Sequence, residues 1–416
     1  MTEETITDVH SEADLSGEDP ESRPRPQWRR EKLVFDGDDY FEQLIHSIDQ
    51  AERSVDFEVY IFSHDEVGIA VSESLARAAS RGVKVRLLVD GVGSLTWIGK
   101  QGSRLFDRGV RIRVFHPIYK ISSIAKWFWH IGFRGSTHDE RRKFFWRLNR
   151  RTHRKLCVVD HEHAWVGSMN VCSTHCHAPS RAHCWRDTAA RVEGLGIRDL
   201  EIAFEYAWVR SHSLAGKRQF RDQMIKRLII NPLKAAVVQR SELVRLNYTL
   251  RLRRNITRDL LDRISNAKSR IWLTTPYLAP PASILRALAR ASKGGVDVRI
   301  LVPRKSDVFF MPWIANAFYR PLIEKNVKIY EYLPRFLHAK CMIIDDWAII
   351  GTSNMNRRSL IHDLEVDVVI SHPETREELT NQFLRDLEST EEIRKNSSWY
   401  HRWIGRMLSY LLKDLI

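Results

Sequence analysis

Apolar positions along the chain fall into short runs of strand length, each set beside an amphipathic helical stretch. Val55–Phe62 and Val83–Val89 read as strands in the first half, and Arg270–Thr275 and Val296–Val302 in the second. The two pairs belong to an internal repeat. Leu75 to Val89 reads LARAASRGVKVRLLV and Leu288 to Val302 reads LARASKGGVDVRILV, with ten of fifteen positions identical at an offset of 213. Each copy is a helix end, a glycine turn and a β-rich strand. Strand–helix–strand units of this spacing imply α/β layers on a parallel or mixed sheet. A repeated unit this large implies two like domains packed on each other, not a solenoid.

The same alternation carries chemistry further on. His153-Arg-Lys155-Leu-Cys-Val-Val-Asp160 is followed by Gly167-Ser168-Met169-Asn170, and His338-Ala-Lys340-Cys-Met-Ile-Ile-Asp345 by Gly351-Thr352-Ser353-Asn354. Period-two alternation places each His and Lys on one strand face, with Leu156–Val159 and Cys341–Ile344 as the buried remainder of the strand. One such pair is an ordinary surface feature. Two, each with Asp and a Gly-hydroxyl-x-Asn turn at matching offsets, point to phosphodiester transfer. Lys155 and Lys340 neutralise non-bridging oxygens, while Asn170 and Asn354, with the Ser168 and Thr352 hydroxyls, donate to transition-state charge. One imidazole attacks phosphorus and the other serves as acid and base. An attacking imidazole needs an acceptor on its far nitrogen. Glu365 is the candidate in the second half and Asp187 its counterpart in the first. This chemistry needs no metal or other cofactor.

Composition narrows the setting. The chain is long enough for two domains, at 416 residues with 43% hydrophobic and 28% charged positions. The net charge is +14, and residues 1–22 hold eight acids and no Lys or Arg, so the remainder carries 14 + 8 = +22. Such charge suits an anionic membrane surface or nucleic acid. The start has neither the basic nor the apolar region of a secretory signal, and no uncharged apolar run reaches the ~18 residues of a membrane span. Five cysteines, an odd number in a large chain, predict reduced thiols in the cytosol. Cys172, Cys176 and Cys184 lie among His175, His177 and His183, but Cys-x3-Cys-x7-Cys is not a standard zinc spacing. It reads as a loop with incidental thiols.

On its paired motifs the chain resembles the phospholipase D superfamily from about residue 32 onward. Within it, the likeness is to bacterial cardiolipin synthases of the short type without N-terminal transmembrane helices. Tyr60, Phe62 and Asp65, the stretch Leu88 to Ser94, and Asp345-Asp346-Trp347 through Arg358-Ser359 carry that likeness. It implies an α/β fold of two pseudo-symmetric α-β-α domains with one active site at their interface. It also implies a phosphohistidine on His153, with His338 as general acid and base. In this family the motif aspartates are more often structural, so Asp160 and Asp345 rank below His153, Lys155, His338 and Lys340 in the catalytic set. Two departures leave the substrate pair open. Asp363-Leu-Glu365-Val-Asp367 stands where such synthases often show Asn, and Asp187 follows His153 by 34 residues against 27 from His338 to Glu365.

The expected organisation is a disordered tail over 1–31, domains over 32–225 and 226–398, and an amphipathic helix over 399–416. The interval from repeat to motif is 78 residues in the first half and 50 in the second, an excess of 28. The surplus falls in Phe115–Arg151, rich in Trp, Phe, Lys and Arg, which suits an interfacial anchor on anionic lipid better than a nucleic-acid groove. The expected partner is an anionic membrane of phosphatidylglycerol, with phosphatidylethanolamine as the alternative second substrate; no obligate protein partner is called for. The leading expectation is transfer of a phosphatidyl group between two phosphatidylglycerol molecules at the cytoplasmic face of a bacterial inner membrane. The alternative is a hydrolase acting on phospholipid or nucleic acid with water as acceptor.

Overall fold

The computed structural model describes residues 26–117, 150–177, 184–214, 241–394 and Met407. The acidic start, most of the aromatic segment, the boundary near residue 225 and nearly all of the terminal helix lie outside these residues.

Each half builds one mixed sheet. The first runs β1 (Arg30–Val34), β7 (Ala189–Glu193), β6 (His163–Gly167), β5 (Lys155–Val159), β2 (Ser54–Val59), β3 (Lys84–Asp90), β4 (Arg111–Phe115) and β8 (His212–Ser213). The second runs β9 (Val244–Leu246), β15 (Val366–Ile370), β14 (Trp347–Gly351), β13 (Cys341–Ile344), β10 (Arg270–Thr274), β11 (Asp297–Pro303), β12 (Lys328–Tyr332) and β16 (Thr390–Glu392). The orders match strand for strand. In both, the repeat forms the parallel centre, β2–β3–β4 and β10–β11–β12, while the motif hairpin adds antiparallel to β2 or β10. The repeat's turn glycines, Gly82 and Gly295, have φ of 92° and 94°, which a side chain would strain.

Helices α1 (Gly37–Asp49) and α2 (Glu66–Ser80) cover the outer face of the first sheet, and α4 (Leu250–Asn266), α5 (Ala282–Lys293) and α6 (Met311–Ile323) that of the second. Helices α3 (Ile197–Trp208) and α7 (Pro373–Glu388) lie on the inner faces. Between the sheets one apolar cluster draws Leu156, Val158, Val166 and Val192 from the first half, and Ile343, Ile350, Val366 and Val368 from the second. The halves therefore share a core. Two buried crossings pin their register: His153 N–H donates to Leu364 O at 2.9 Å, and His338 N–H to Arg186 O at 2.8 Å. The Arg186 guanidinium also meets the buried Asp386 carboxylate at 3.1 and 2.8 Å.

The ordered chain begins before Lys32, contrary to the boundary expected from sequence. Trp28 is buried, its backbone N–H donates to Ser371 Oγ at 3.0 Å, and its Nε1–H donates to Val369 O at 2.9 Å. Glu31 accepts the Ser371 and His372 N–H groups at 3.0 and 2.7 Å. A polar, proline-rich sequence concealed one aromatic anchor that ties the first strand to the opposite half. Trp28→Ala is expected to destabilise the protein by about 3–5 kcal/mol, read as a lower urea midpoint; an unchanged midpoint would contradict this anchoring.

Candidate active site

The site forms where the two sheets bring their motif strands together. β5 pairs with β2 so that Lys155 lies opposite Val59, and β13 pairs with β10 so that Cys341 lies opposite Thr274. His153 and His338 therefore precede the strands and not, as expected, lie within them. They stand at the C-terminal edge of β2 and β10, where parallel strands present ligand sites.

Each imidazole is held by a carboxylate from the other half. His153 Nδ1 lies 3.1 Å from both Glu365 oxygens and 3.2 Å from Thr352 O. His338 Nδ1 lies 2.7 Å from Asp187 Oδ1. Counted along the chain, each acid follows the histidine of its own half; folded, the pairing is crosswise. With Nδ1–H donating, Nε2 carries the lone pair. Lys340 Nζ donates to His338 Nε2 at 3.0 Å, and among the described residues nothing bonds to His153 Nε2. The His153 side chain is also the more open, 14% exposed against 4% for His338.

Electrostatics follow from burying like charges together. Burial, then Lys155 and Lys340, hold His153 well below the usual imidazole value. Burial, then Lys340, do the same for His338 although Asp187 opposes them. Lys155 is pushed down to about 7 by burial and by Lys340, and Lys340 to about 8 by burial. Each ammonium donates to the carbonyl of its own motif histidine at 2.7 Å. Lys155 Nζ also sits 5.4 Å from the Tyr60 ring, which lies 5.3 Å from that of His153. Burial raises Glu365 to about 8 against the pull of Lys155. Yet Ser359 Oγ at 2.6 Å, Thr352 Oγ1 at 2.5 Å and His153 Nδ1 all point at its oxygens, and only the carboxylate accepts from all three. Burial also works against the Asp187 charge, but His175 and His338 outweigh it and hold that group well below the usual carboxylate range.

The structure revises several sequence-derived roles. Asp160 and Asp345 stand at the far ends of β5 and β13, away from the histidines. Asp160 accepts the N–H groups of Glu52, Arg53 and Ser54 at 2.9, 2.7 and 2.8 Å. Asp345 accepts those of Lys268, Ser269 and Arg270 at 2.8, 2.9 and 3.0 Å. Both adopt positive φ, 54° and 50°, and they fasten the hairpin to the strand beside it. The Ser168 hydroxyl donates to Thr188 O at 3.1 Å, and that of Thr352 donates to Glu365, so neither faces a substrate as expected. Asp187 and Glu365 each hold the imidazole of the opposite half. Asn170 Oδ1 accepts the Ile61 N–H at 3.2 Å, leaving its NH2 for a ligand, and Asn354 is buried at the matching position. The motif glycines are steric: a Cβ on Gly167 or Gly351 would lie 2.6 Å from Thr188 O or 2.4 Å from Val366 O.

Sequence reading missed His175. Its Nδ1 lies 2.7 Å from Asp187 Oδ2, and its Nε2 accepts the Asn170 N–H at 3.1 Å. The second half repeats this circuit with Ser359, which accepts the Asn354 N–H at 3.1 Å and donates to Glu365. The signal was countable, since both residues stand five past the motif Asn. Cys172 and Asp187 favour the imidazolium of His175, up to about 10 against burial. A backbone N–H aimed at Nε2 nevertheless requires the neutral Nδ1–H tautomer. His175, Asp187 and His338 also form the one group among the described residues with metal-ligand geometry. Every donor atom in it is already committed to a hydrogen bond. Cys172, Cys176 and Cys184 are buried and unpaired with one another, Cys184 facing His177 and Arg335; His183 lies outside the described residues.

Two like α/β halves that bring their His-Lys pairs together at the domain boundary define a phospholipase D-like protein. The family described as "Cardiolipin synthase, PLD-like domain" matches residues 44–177 and 260–387, and the chain belongs to it. The chain is 30% identical over 367 residues to a cardiolipin synthase of Clostridium perfringens, covering 86% of this chain and 70% of that one. It is 31% identical over 390 residues to one of Halalkalibacterium halodurans, covering 92% and 72%. Among solved structures, phosphatidylserine synthase of Haemophilus influenzae shares the fold at a TM-score of 0.66 and 13% identity, covering 94% and 95%. Polyphosphate kinase of Porphyromonas gingivalis does so at 0.51 and 13%, covering 93% and 56%.

The depressed lysines give a pH-dependent prediction. An anion raises both lysine pKa values on binding, so its affinity is full below about pH 7 and falls as pH rises past 8. Calorimetry with sulfate, which does not titrate in this range, should show net proton uptake at pH 8. Binding without uptake would contradict the lysine assignment.

Proposed function

We propose that this chain is a phosphatidyltransferase that joins two phosphatidylglycerol molecules into cardiolipin and releases glycerol. One observation carries the mechanism: two neutral imidazoles, one from each half and each anchored at Nδ1 by a carboxylate, lie at the domain boundary with two lysines depressed by burial. Lys155 and Lys340 hold the phosphate oxygens, joined by the Asn170 and Asn354 amides. The open Nε2 of His153 attacks phosphorus, and the bond from phosphorus to the glycerol oxygen breaks. His338, neutral in the empty site, gains its proton once the phosphate anion offsets the lysines, and passes it to the departing glycerol. Neutral again, it takes the hydroxyl proton of a second phosphatidylglycerol. That oxygen attacks the phosphatidyl-His153 intermediate, and His153 is released with the lone pair on Nε2.

Identity near 30% to curated cardiolipin synthases over most of the chain favours a lipid alcohol over water as acceptor. The substrates lie in membranes, which supports membrane association; among the described residues no helix is long and apolar enough to cross one. We assign the site to the cytoplasmic face, since five unpaired cysteines suit a reducing compartment.

Incubation with phosphatidylglycerol vesicles should give cardiolipin and glycerol in equal amounts. Phosphatidic acid as the main product would replace this reading with the hydrolase. His153→Ala and His338→Ala should each lower turnover by about 10³-fold or more, and only His338→Ala should still accumulate label on the protein. Full turnover in both would refute the assignment.

His175→Ala should slow turnover by about tenfold at nearly unchanged KM. Losing a donor raises the proton affinity of Asp187 and, through it, of His338. The acidic limb of the pH–rate profile should therefore move upward. An unmoved profile would make His175 merely structural.

A further inference from the structure

The loops that follow β3 and β11 occupy equivalent places in the two halves, and both leave apolar side chains in solvent beside the site. After β3, Val92 and Leu95 are 40% and 54% exposed. After β11, Phe309 on the loop and Trp313 in the first turn of α6 are 75% and 40% exposed, with ring centroids 6.0 Å apart. Exposure of isolated apolar residues is ordinary, but a pair of matched loops flanking one pocket is not.

Both loops connect to the imidazoles through a tyrosine. Ser94 Oγ donates to Tyr60 O at 3.0 Å, and the Tyr60 ring lies tilted at 58° against that of His153. In the other half, Val308 and Phe310 pack with Tyr277 in one small apolar cluster. Tyr277 donates to Asp307 at 2.7 Å, and its ring lies 6.5 Å from Phe336, which is itself 5.8 Å from His338. Tyr60 in turn affects the Tyr277 hydroxyl electrostatically, so the tyrosines approach across the domain boundary. In each half a tyrosine thus lies between the loop and the motif histidine in the chain of contacts. Exposed Lys100 and Lys305 accompany the loops.

We infer that Val92, Leu95, Phe309 and Trp313 form a two-sided rim that docks the active-site mouth on the surface of an anionic phospholipid bilayer. The occupant follows from chemistry. Aromatic and aliphatic side chains enter the boundary between headgroup and acyl chain while adjacent lysines meet lipid phosphates. A lipid phosphate drawn inward from that boundary passes the tyrosines that neighbour the histidines. The inference rests on the phospholipid-transfer reading for its purpose but not for its geometry.

The test uses full-length protein and vesicles of phosphatidylglycerol and phosphatidylethanolamine in equal parts. Binding is read by sedimentation in a His153→Ala background, where no lipid is consumed. Phe309→Ser with Trp313→Ser, and separately Val92→Ser with Leu95→Ser, should each weaken vesicle binding by about tenfold or more. Leu195→Ser, which alters a residue 84% exposed on the turn before α3, should leave it unchanged. With His153 intact, both rim variants should lose turnover on vesicles and keep it within about twofold on short-chain phosphatidylglycerol dispersed as monomers. Unaltered vesicle binding in both variants would overturn the rim, as would equal losses on vesicles and monomers. So would loss of a dimer with vesicle binding intact, which would make the face a contact between copies. Rim-dependent binding without any phospholipid turnover in the wild type would uphold the rim and refute the transferase.

Discussion

Everything about this site depends on a carboxylate reaching across to an imidazole it does not share a domain with. Glu365 holds His153 and Asp187 holds His338. Neither half is complete alone, because a histidine without its acceptor has no fixed tautomer and an unpartnered buried carboxylate is costly. The common core between the sheets and the backbone crossings at Leu364 and Arg186 are what make that reach dependable. The chemistry and the domain packing are one constraint.

The same arrangement makes an apparently symmetric site structurally asymmetric. Both halves present histidine, lysine, asparagine and an acid. Lys340 nevertheless caps Nε2 of His338, while Lys155 turns to a backbone carbonyl and leaves Nε2 of His153 open. The acids differ too. Glu365 is braced by two hydroxyls, whereas the shorter Asp187 is braced by an imidazole. One histidine thus has an open Nε2 and the other a capped one.

Much of this was legible in the residues. The repeat, the parallel core it builds and both His-Lys pairs could be read directly, because strand alternation and turn glycines are local properties. Proton acceptors for the histidines could be named, since the chemistry demands them, but not paired, since pairing is a tertiary fact. Asp160 and Asp345 look catalytic only because they close the motif; four residues of extended chain carry them away from the histidines and lysines, to where backbone N–H groups need an acceptor. His175 was hidden among cysteines that suggested metal, although its offset from Asn170 matched that of Ser359 from Asn354. Trp28 was hidden by polar neighbours. In each miss the deciding partner was remote in sequence.

The crosswise pairing is open to a direct check by nitrogen NMR on protein labelled at histidine. At neutral pH both His153 and His338 should carry the proton on Nδ1 and a lone pair on Nε2. Glu365→Gln, a change in the second half, should displace the signals of His153 in the first, and Asp187→Asn those of His338. If each substitution instead perturbed the histidine of its own half, the two halves would not form the shared centre described.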